Sequence, residues 1–470
     1  MTTPAISTIT PKREAAITIT ANSTEYKLVA VIFNSKGEGR YVDSNSFEGL
    51  TFETYKSSPF LMGNLTLGNE SNMDSLNKLD LKAPSSSITE YGDSKLFLKL
   101  KISFNDRNNK TVILIDKYFV VRNKFDNVQN SQRKTVYYFV DLIYNHLNYK
   151  RQSWSTDLLN EKTRINQYGE QKVNAGEALK HILRTFTDQH DIIDEENWDN
   201  GIGNLFYTLP ADTPALYGIS EILKSYVSTD EGSGVFTYYN GKFQLKSLKK
   251  HIANLYKNNN NKIELSSSLA AIFKVNTNDI QQKYSNDKNL DLFGRRFNYI
   301  PIDLRAINFT DIQPDSTTNG LAKNEVIQFD MLGKQFTIHS DQGNIHNVED
   351  VTGLESLPGG DNNKLNIDPN EEYNIKNKMF MLSDEETTRH FGTIKLQKQL
   401  FSTLTKAVFS TPGNINFNAN KFIYMTMDLK SKNKFAHKVP GFWYIINNVT
   451  TISKGEFAST LECVKLDKPK

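Results

Sequence analysis

Eight histidines and 53 acidic side chains give this chain its material for acid–base or metal chemistry, so their spacing is the first thing to read. No two histidines take the His-x-x-x-His or His-Glu-x-x-His form that sets imidazoles on one helix face. His181 falls on a polar-facing position of a helical segment and reads as a solvated side chain. His190 stands beside Asp191, Asp194, Glu195 and Glu196, where a solvated acidic loop outweighs a metal site. Asp361, Asp368, Glu371 and Glu372 offer oxygen ligands but lack the Asp-x-Asp-x-Asp-Gly spacing of a calcium loop. No carboxylate pair is anchored well enough to carry a glycosidase reading. Gly201-Ile202-Gly203 precedes a short Asn-Leu-Phe-Tyr run and not a helix, so it makes a poor phosphate cradle. The expectation is a non-enzyme with no catalytic, cofactor-binding or metal-binding residues, and no cofactor.

The rest of the composition narrows the class. Lys+Arg 56 against Asp+Glu 53 leaves a formal net charge of +3, which gives no electrostatic case for a dedicated nucleic-acid binder. The basic run Lys242, Lys246, Lys249, Lys250, Lys257 and Lys262 reads as a solvated face ahead of a phosphate contact. The one cysteine, Cys463, alternates with apolar neighbours and reads as a core residue. A single cysteine also excludes an intrachain disulfide framework and a multi-cysteine zinc site. Residues 1–20 hold no long apolar run, and the apolar runs elsewhere are strand-length, so neither a secretory leader nor membrane insertion is expected. A soluble protein of a reducing compartment, with about three domains' worth of chain, is the resulting expectation.

The elements that would position any site are mostly strands. In the first part, residues 15–149, the segment 96–104 is the clearest. Leu96, Leu98, Leu100, Ile102 and Phe104 fall on one face, with Lys99, Lys101 and Ser103 on the other. Strands are also expected at 27–33, 47–55, 111–121 and 135–143, although Phe47 has the wrong parity for its strand. Their spacing suggests a closed or nearly closed antiparallel barrel, with 64–87 as an excursion at one rim.

The middle, 150–253, changes period. Asn174 with Glu177 resembles a capping box, and Ala178, Leu179, Ile182, Leu183 and Phe186 follow at helical spacing. Thr213-Pro214 reads as the N-cap and first residue of a second helix through Leu216, Ile219, Leu223 and Tyr226, stopped by Gly232 and Gly234. Asn240-Gly241 then marks a hairpin between 235–239 and 242–245.

The last part, 254–470, is β-rich again, with a polar, acidic excursion at 309–383. Inside it Ile327, Phe329 and Met331, then Phe336 and Ile338, alternate as a hairpin. Ser383 and Glu386 form a capping box for a helix over 383–404. Strands are expected at 406–410, 421–427, 442–450 and 457–466.

In this order the elements resemble the central baseplate hub subunit of contractile-tailed bacteriophages and, more distantly, the hub part of type VI secretion spike proteins. Thr54-Tyr55-Lys56-Ser57-Ser58-Pro59-Phe60 leading to Gly63-Asn64-Leu65-Thr66-Leu67 is similar to the family's segment that sets a first barrel. Asn174-Ala175-Gly176-Glu177-Ala178-Leu179 resembles the start of its inserted helical domain. The run 396–410, then Thr411-Pro412-Gly413 and the closing strand pair, resembles its second barrel. The chain departs from the family at Ala419-Asn420, where Pro-Gly is common, and in the size of the 309–383 excursion.

The resemblance implies an α+β, mostly β fold. It has two tube-type antiparallel β-barrel domains, 15–149 and 254–470, around a helix-helix-hairpin insert at 150–253. It implies a virion protein of the tail baseplate, assembled in the host cytoplasm, that adapts a sixfold tail tube to a threefold spike and lines the DNA ejection channel. Implied partners are two further copies in a homotrimer, the central spike protein, tail tube or tube-initiator proteins, inner baseplate wedge proteins and the tape measure protein. Viral DNA passes through transiently. The competing readings are a β-rich carbohydrate-binding adhesin and a tail-associated peptidoglycan hydrolase. The helical middle counts against the first and the lack of a carboxylate pair against the second.

Overall fold

The computed structural model describes residues 16–21, 24–34, 39–56, 58–68, 96–105, 109–129, 132–156, 173–187, 189–202, 207–230, 232–239 and 241–251, then 262–264, 308–310, 324–330, 335–340, 354–355, 377–381, 406–413, 418–426, 441–466 and 468–469. The chain forms two compact units. One comprises Met1–His146, Asn259–Phe309 and Ala407–Cys463; the other comprises Leu147–Asn258, Thr310–Lys406 and Val464–Lys470. The fold is mostly β, with few helices and a strongly curled antiparallel half-barrel sheet.

Eight strands come first: β1 (Ile17–Ala21), β2 (Thr24–Asn34), β3 (Gly39–Tyr41), β4 (Phe47–Tyr55), β5 (Ser58–Leu67), β6 (Leu96–Asn105), β7 (Thr111–Gln129) and β8 (Gln132–Asp141). The alternation read in β6 is observed, with Leu98 and Leu100 fully buried and Leu96, Ile102 and Phe104 nearly so. Phe47 is also fully buried, despite its parity. The β4–β5 register shifts between Phe47 and Gly49, so a bulge turns Phe47 back to the core side shared with Leu50 and Phe52. Two expectations need correction. Residues 64–67 belong to strand β5 and not to an excursion; residues 69–87 lie outside the described residues. Pro59 and Gly63 hid this strand. Gly63 is required because a Cβ there would sit 2.0 Å from the Thr51 carbonyl oxygen and 2.7 Å from the Phe139 ring. The strand expected over 135–143 ends at Asp141, whose Oδ1 accepts from the Ile143 amide at 2.9 Å and opens helix α1 (Leu142–Tyr149).

The second unit carries β9 (Trp154–Ser155), α2 (Ala175–Thr187), β10 (Ile193–Trp198), β11 (Thr208–Leu209), α3 (Ala215–Ser225), β12 (Gly234–Tyr239) and β13 (Lys242–Ser247). Asn174 caps α2, its Oδ1 accepting from the Glu177 amide at 3.1 Å, and all five residues of the expected apolar face are fully buried. Helix α3 is offset from expectation. Pro214, with extended backbone, is its N-cap, and the helix ends at Ser225 where Tyr226 turns extended, well before the glycines. Its buried face is Ala215, Gly218, Ile219 and Ile222, which shares Ile219 with the expected face and leaves Leu216 and Leu223 half-buried. The Asn-Gly hairpin is present, with Tyr239 opposite Lys242 and Gly241 at φ +81°.

The remaining strands are β14 (Lys262–Glu264), β15 (Asn308–Thr310), β16 (Asn324–Asp330), β17 (Gln335–Ser340), β18 (Leu354–Glu355), β19 (Asn377–Met381), β20 (Lys406–Pro412), β21 (Phe422–Thr426), β22 (Gly441–Ser453), β23 (Glu456–Leu466) and β24 (Lys468–Pro469). The hairpin expected inside the excursion is β16–β17, with Ile327 opposite Ile338 and Phe329 opposite Phe336. The helix expected over 383–404, with its Ser383–Glu386 cap, lies outside the described residues.

Strands from both ends of the chain share one sheet. Its path runs β1-β2-β6-β7-β8-β5-β4-β22-β23-β20-β15, with β3, β14 and β21 attached at the side. The join is the antiparallel β4–β22 ladder, from Tyr55 opposite Asn447 to Gly49 opposite Ser453. One hydrophobic core lies along its inner face, to which the C-terminal hairpin adds Ile452 and Phe457.

Candidate functional site

Two of the acidic residues around His190, Asp194 and Glu195, are occupied in contacts with neighbouring elements. Strand β10 carries Glu195 across from helix α2, where Lys180 Nζ donates to it at 2.5 Å and Arg184 Nη2 at 2.6 Å. The Lys180 hydrogen bond is the main reason the Glu195 carboxyl is held below its usual range. Burial alone would raise Asp194. Hydrogen bonds from Asn197 Nδ2 at 2.8 Å and Gln244 Nε2 at 2.7 Å, with Lys246 and Lys242 nearby, bring it below its usual value instead. His181, His190, Asp191 and Glu196 are exposed. Among the described residues no three His, Cys, Asp or Glu side chains are grouped to hold a metal ion. Asp361, Asp368, Glu371 and Glu372 lie outside those residues.

Gly201 is part of a loop clamp, and Gly203 lies outside the described residues. Asp199 Oδ1 accepts from the Gly201 amide at 2.9 Å, while Oδ2 accepts from the Thr229 amide at 3.1 Å and its hydroxyl at 3.0 Å. A carboxylate fills the place a phosphate would need. Gly201 itself, at φ +79°, has the Val227 carbonyl where a Cβ would sit, at 2.4 Å. In the basic run, Lys242 and Lys250 are exposed, and Lys246 and Lys249 half-buried; burial holds Lys246 below its usual range, opposed by Asp194. Cys463 is fully buried, and burial pushes its thiol well up.

What does converge is polar and lies at the β4–β22 join. The Lys56 amide donates to the Ile446 carbonyl at 2.8 Å, and the Ala419 amide to Thr54 Oγ1 at 3.0 Å. Asn420 holds a left-handed turn at φ +67° and accepts from Tyr444 Oη at 2.7 Å. Beside it, Asn448, Thr450 and Ser459 form a buried hydrogen-bonded row, with Thr450 Oγ1 and Ser459 Oγ 2.8 Å apart. Nothing in the sequence pointed to this row, since period-two counting scores it as interruptions in an apolar face.

The other unforeseen feature is on the outer face of the β7–β8 hairpin. Phe125 is 58% exposed and Tyr138 46%, and the register places Phe125 opposite Val136 and Asn123 opposite Tyr138. Two large apolar side chains therefore share one solvent face, a pattern typical of contact surfaces when contiguous. Among the described residues no helix is long and apolar enough to cross a membrane.

No family model matches the chain, and no curated protein matches it. Across most of its length it is structurally similar to solved phage tail proteins and to VgrG spike proteins. A tail protein from Neisseria meningitidis MC58 aligns with TM-score 0.45 at 9% identity, covering 93% of this chain and 96% of that one. The 43 kDa tail protein of prophage MuSo2 from Shewanella oneidensis gives 0.45 and 9%, covering 94% and 100%. The Francisella PdpA–VgrG complex gives 0.42 and 9%, covering 95% of this chain and 59% of that one.

Proposed function

We propose that this chain is a structural subunit of a contractile phage tail: the baseplate hub, which adapts a sixfold tube to a threefold spike and lines the channel for DNA ejection. The single observation that carries the reading is the order of elements. A curled antiparallel sheet takes strands from both ends of the chain, and a helix-helix-hairpin insert lies between them. That is the order of the family resembled in the sequence.

On this reading the regions 15–149 and 254–470 are two tube-type barrels, and 150–253 is the insert between them. Three copies then present six similar barrels to the tube and three equal faces to the spike. Such a part works through extended interfaces of about 2,000 Å² or more and needs no reacting group. The partners are two further copies, the central spike, tube or tube-initiator proteins, inner wedge proteins and the tape measure protein. The place of action is the virion tail baseplate, after assembly in the host cytoplasm.

The test is the mass of the purified full chain in solution, read together with a peptidoglycan zymogram and a glycan array. A stable trimer inert in both assays is expected. A monomer at micromolar concentration, lytic activity or specific glycan binding would each overturn the hub reading.

A further inference from the structure

The β4–β22 ladder joins residues about 400 positions apart and is the place where the sheet's polar faults collect. Asn447 Oδ1, opposite Tyr55, and Ser58 Oγ, at the β4–β5 turn beside it, are both buried without a hydrogen-bond partner among the described residues. The turn that docks against the same end holds Asn420, a non-glycine residue, at φ +67°. Burial holds the adjacent Lys421 ammonium below its usual range. The next residues along the ladder are the buried polar row Asn448, Thr450 and Ser459. By contrast β2, β6 and β7 meet through Leu28, Ile32, Leu98, Leu100, Ile102 and Phe119, all buried and apolar.

The core is divided just as unevenly. Among the described residues, 22 of the 24 in the sheet's main hydrophobic cluster come from the first 139 residues, and Ile452 and Phe457 come from the C-terminal hairpin. The hairpin buries Trp443, Tyr444, Ile445, Leu461, Cys463 and Val464 outside that cluster, so it carries apolar packing of its own and can leave as one unit.

From this geometry we infer that the seam is a latch: the C-terminal segment β20–β23, with its Asn420 turn, releases β4 as one unit while β2, β6, β7, β8 and β5 stay folded. Opening starts at the Tyr55–Asn447 end, where the unpartnered polar atoms regain water. It frees the backbone donors and acceptors of β4 and β22, two strand edges of the kind that pair with another chain. The latch stands on the seam's own chemistry and does not depend on the hub reading. It would hold for a monomer.

The experiment is native-state hydrogen exchange on the full chain, read by mass spectrometry. Amides of β4 and β22 should exchange together, about 100-fold faster than those of β2 and β6, through an opening that leaves the latter protected. A Thr51→Cys, Thr451→Cys pair, whose positions face each other in the ladder, closes the latch covalently when oxidised. Oxidation should slow β4 and β22 together, and reduction should restore the difference. Cys463 is buried and stays out of this chemistry. As a second variant, Asn447→Asp places a charge at the fault and should speed exchange in β4 and β22 with β2 and β6 unchanged. Equal protection of seam and core, or equal acceleration of both in the Asn447→Asp protein, would overturn the latch. So would exchange in β4 and β22 that is indifferent to the oxidised staple.

Discussion

Gly413 and Phe457 make the sharpest test of how the C-terminal hairpin closes the core. The Gly413 amide donates to the Phe457 carbonyl at 2.7 Å, and a Cβ at position 413 would lie 1.9 Å from a Phe457 ring carbon. That ring is 1% exposed and meets the Tyr26 ring edge-on at 4.8 Å, so it has little room to move. Gly413→Ala should cost ~1–3 kcal/mol, as overpacking in a filled core does. Phe457→Ala should cost ~3–5 kcal/mol, for lost transfer energy plus a cavity. Together the two changes should not add. In the Phe457→Ala protein the new methyl enters the vacated volume, so its penalty disappears and up to ~0.8 kcal/mol of burial replaces it. The coupling is then ~1–3 kcal/mol, favourable in sign. Urea unfolding followed by tryptophan fluorescence reads it, since Trp443 is fully buried in the neighbouring strand β22. With a slope of ~3 kcal/mol/M, Phe457→Ala alone lowers the midpoint by about 1–1.7 M, and the double variant should match it or recover slightly. A double variant whose loss equals the sum of the single losses would refute the packing argument.

Three further outcomes follow from other contacts. Thr54→Val leaves the Ala419 amide without its acceptor and should cost ~1–3 kcal/mol, read as a lower urea midpoint; an unchanged midpoint would mean the amide finds another partner. Asn174→Ala removes the cap of α2, a loss of ~1 kcal/mol that thermal melting should report as a drop of a few degrees. Asp141 is buried and its carboxyl is raised by that burial, only partly opposed by Lys117 and by two backbone hydrogen bonds. A carboxylate with a raised folded pKa favours the fold below its unfolded value, near 3.8, and loses that advantage as pH rises through the folded value. Asp141→Asn keeps the helix cap without the charge, so it should raise stability at pH 7 and have little effect near pH 3; a neutral-pH loss would show that the charge itself is needed.

The strands of this protein were legible where buried and more exposed residues alternate, as in β6 and β13. Alternation reports which side a residue faces, but it cannot report which strand lies alongside. That is why the β4–β22 join was invisible: neither strand carries a mark of a partner four hundred residues away. Phe47 shows a second limit, because a bulge reverses parity without leaving any composition signal. Pro59 and Gly63 show a third, since residues that weaken a strand on average were tolerated in β5, and Gly63 was demanded by the close approach of Thr51 and Phe139.

Asn420 brings these limits together. In the sequence, Ala419-Asn420 was a departure from the Pro-Gly common at this point of the resembled family. A glycine would take the left-handed turn without strain, and asparagine takes it with less strain than most residues. The asparagine adds what glycine lacks, an oxygen that accepts from Tyr444 at 2.7 Å within the buried seam. Burial pushes the Tyr444 hydroxyl far above its usual range, so it stays protonated and donates at every pH the fold survives. Asn420→Gly therefore trades backbone strain of ~1–2 kcal/mol against a buried tyrosine hydroxyl left without this acceptor, a loss of ~1–3 kcal/mol. The two terms nearly cancel in stability, but only the hydrogen bond fixes the turn against Tyr444. The departure is then a matter of register at the join and not of stability.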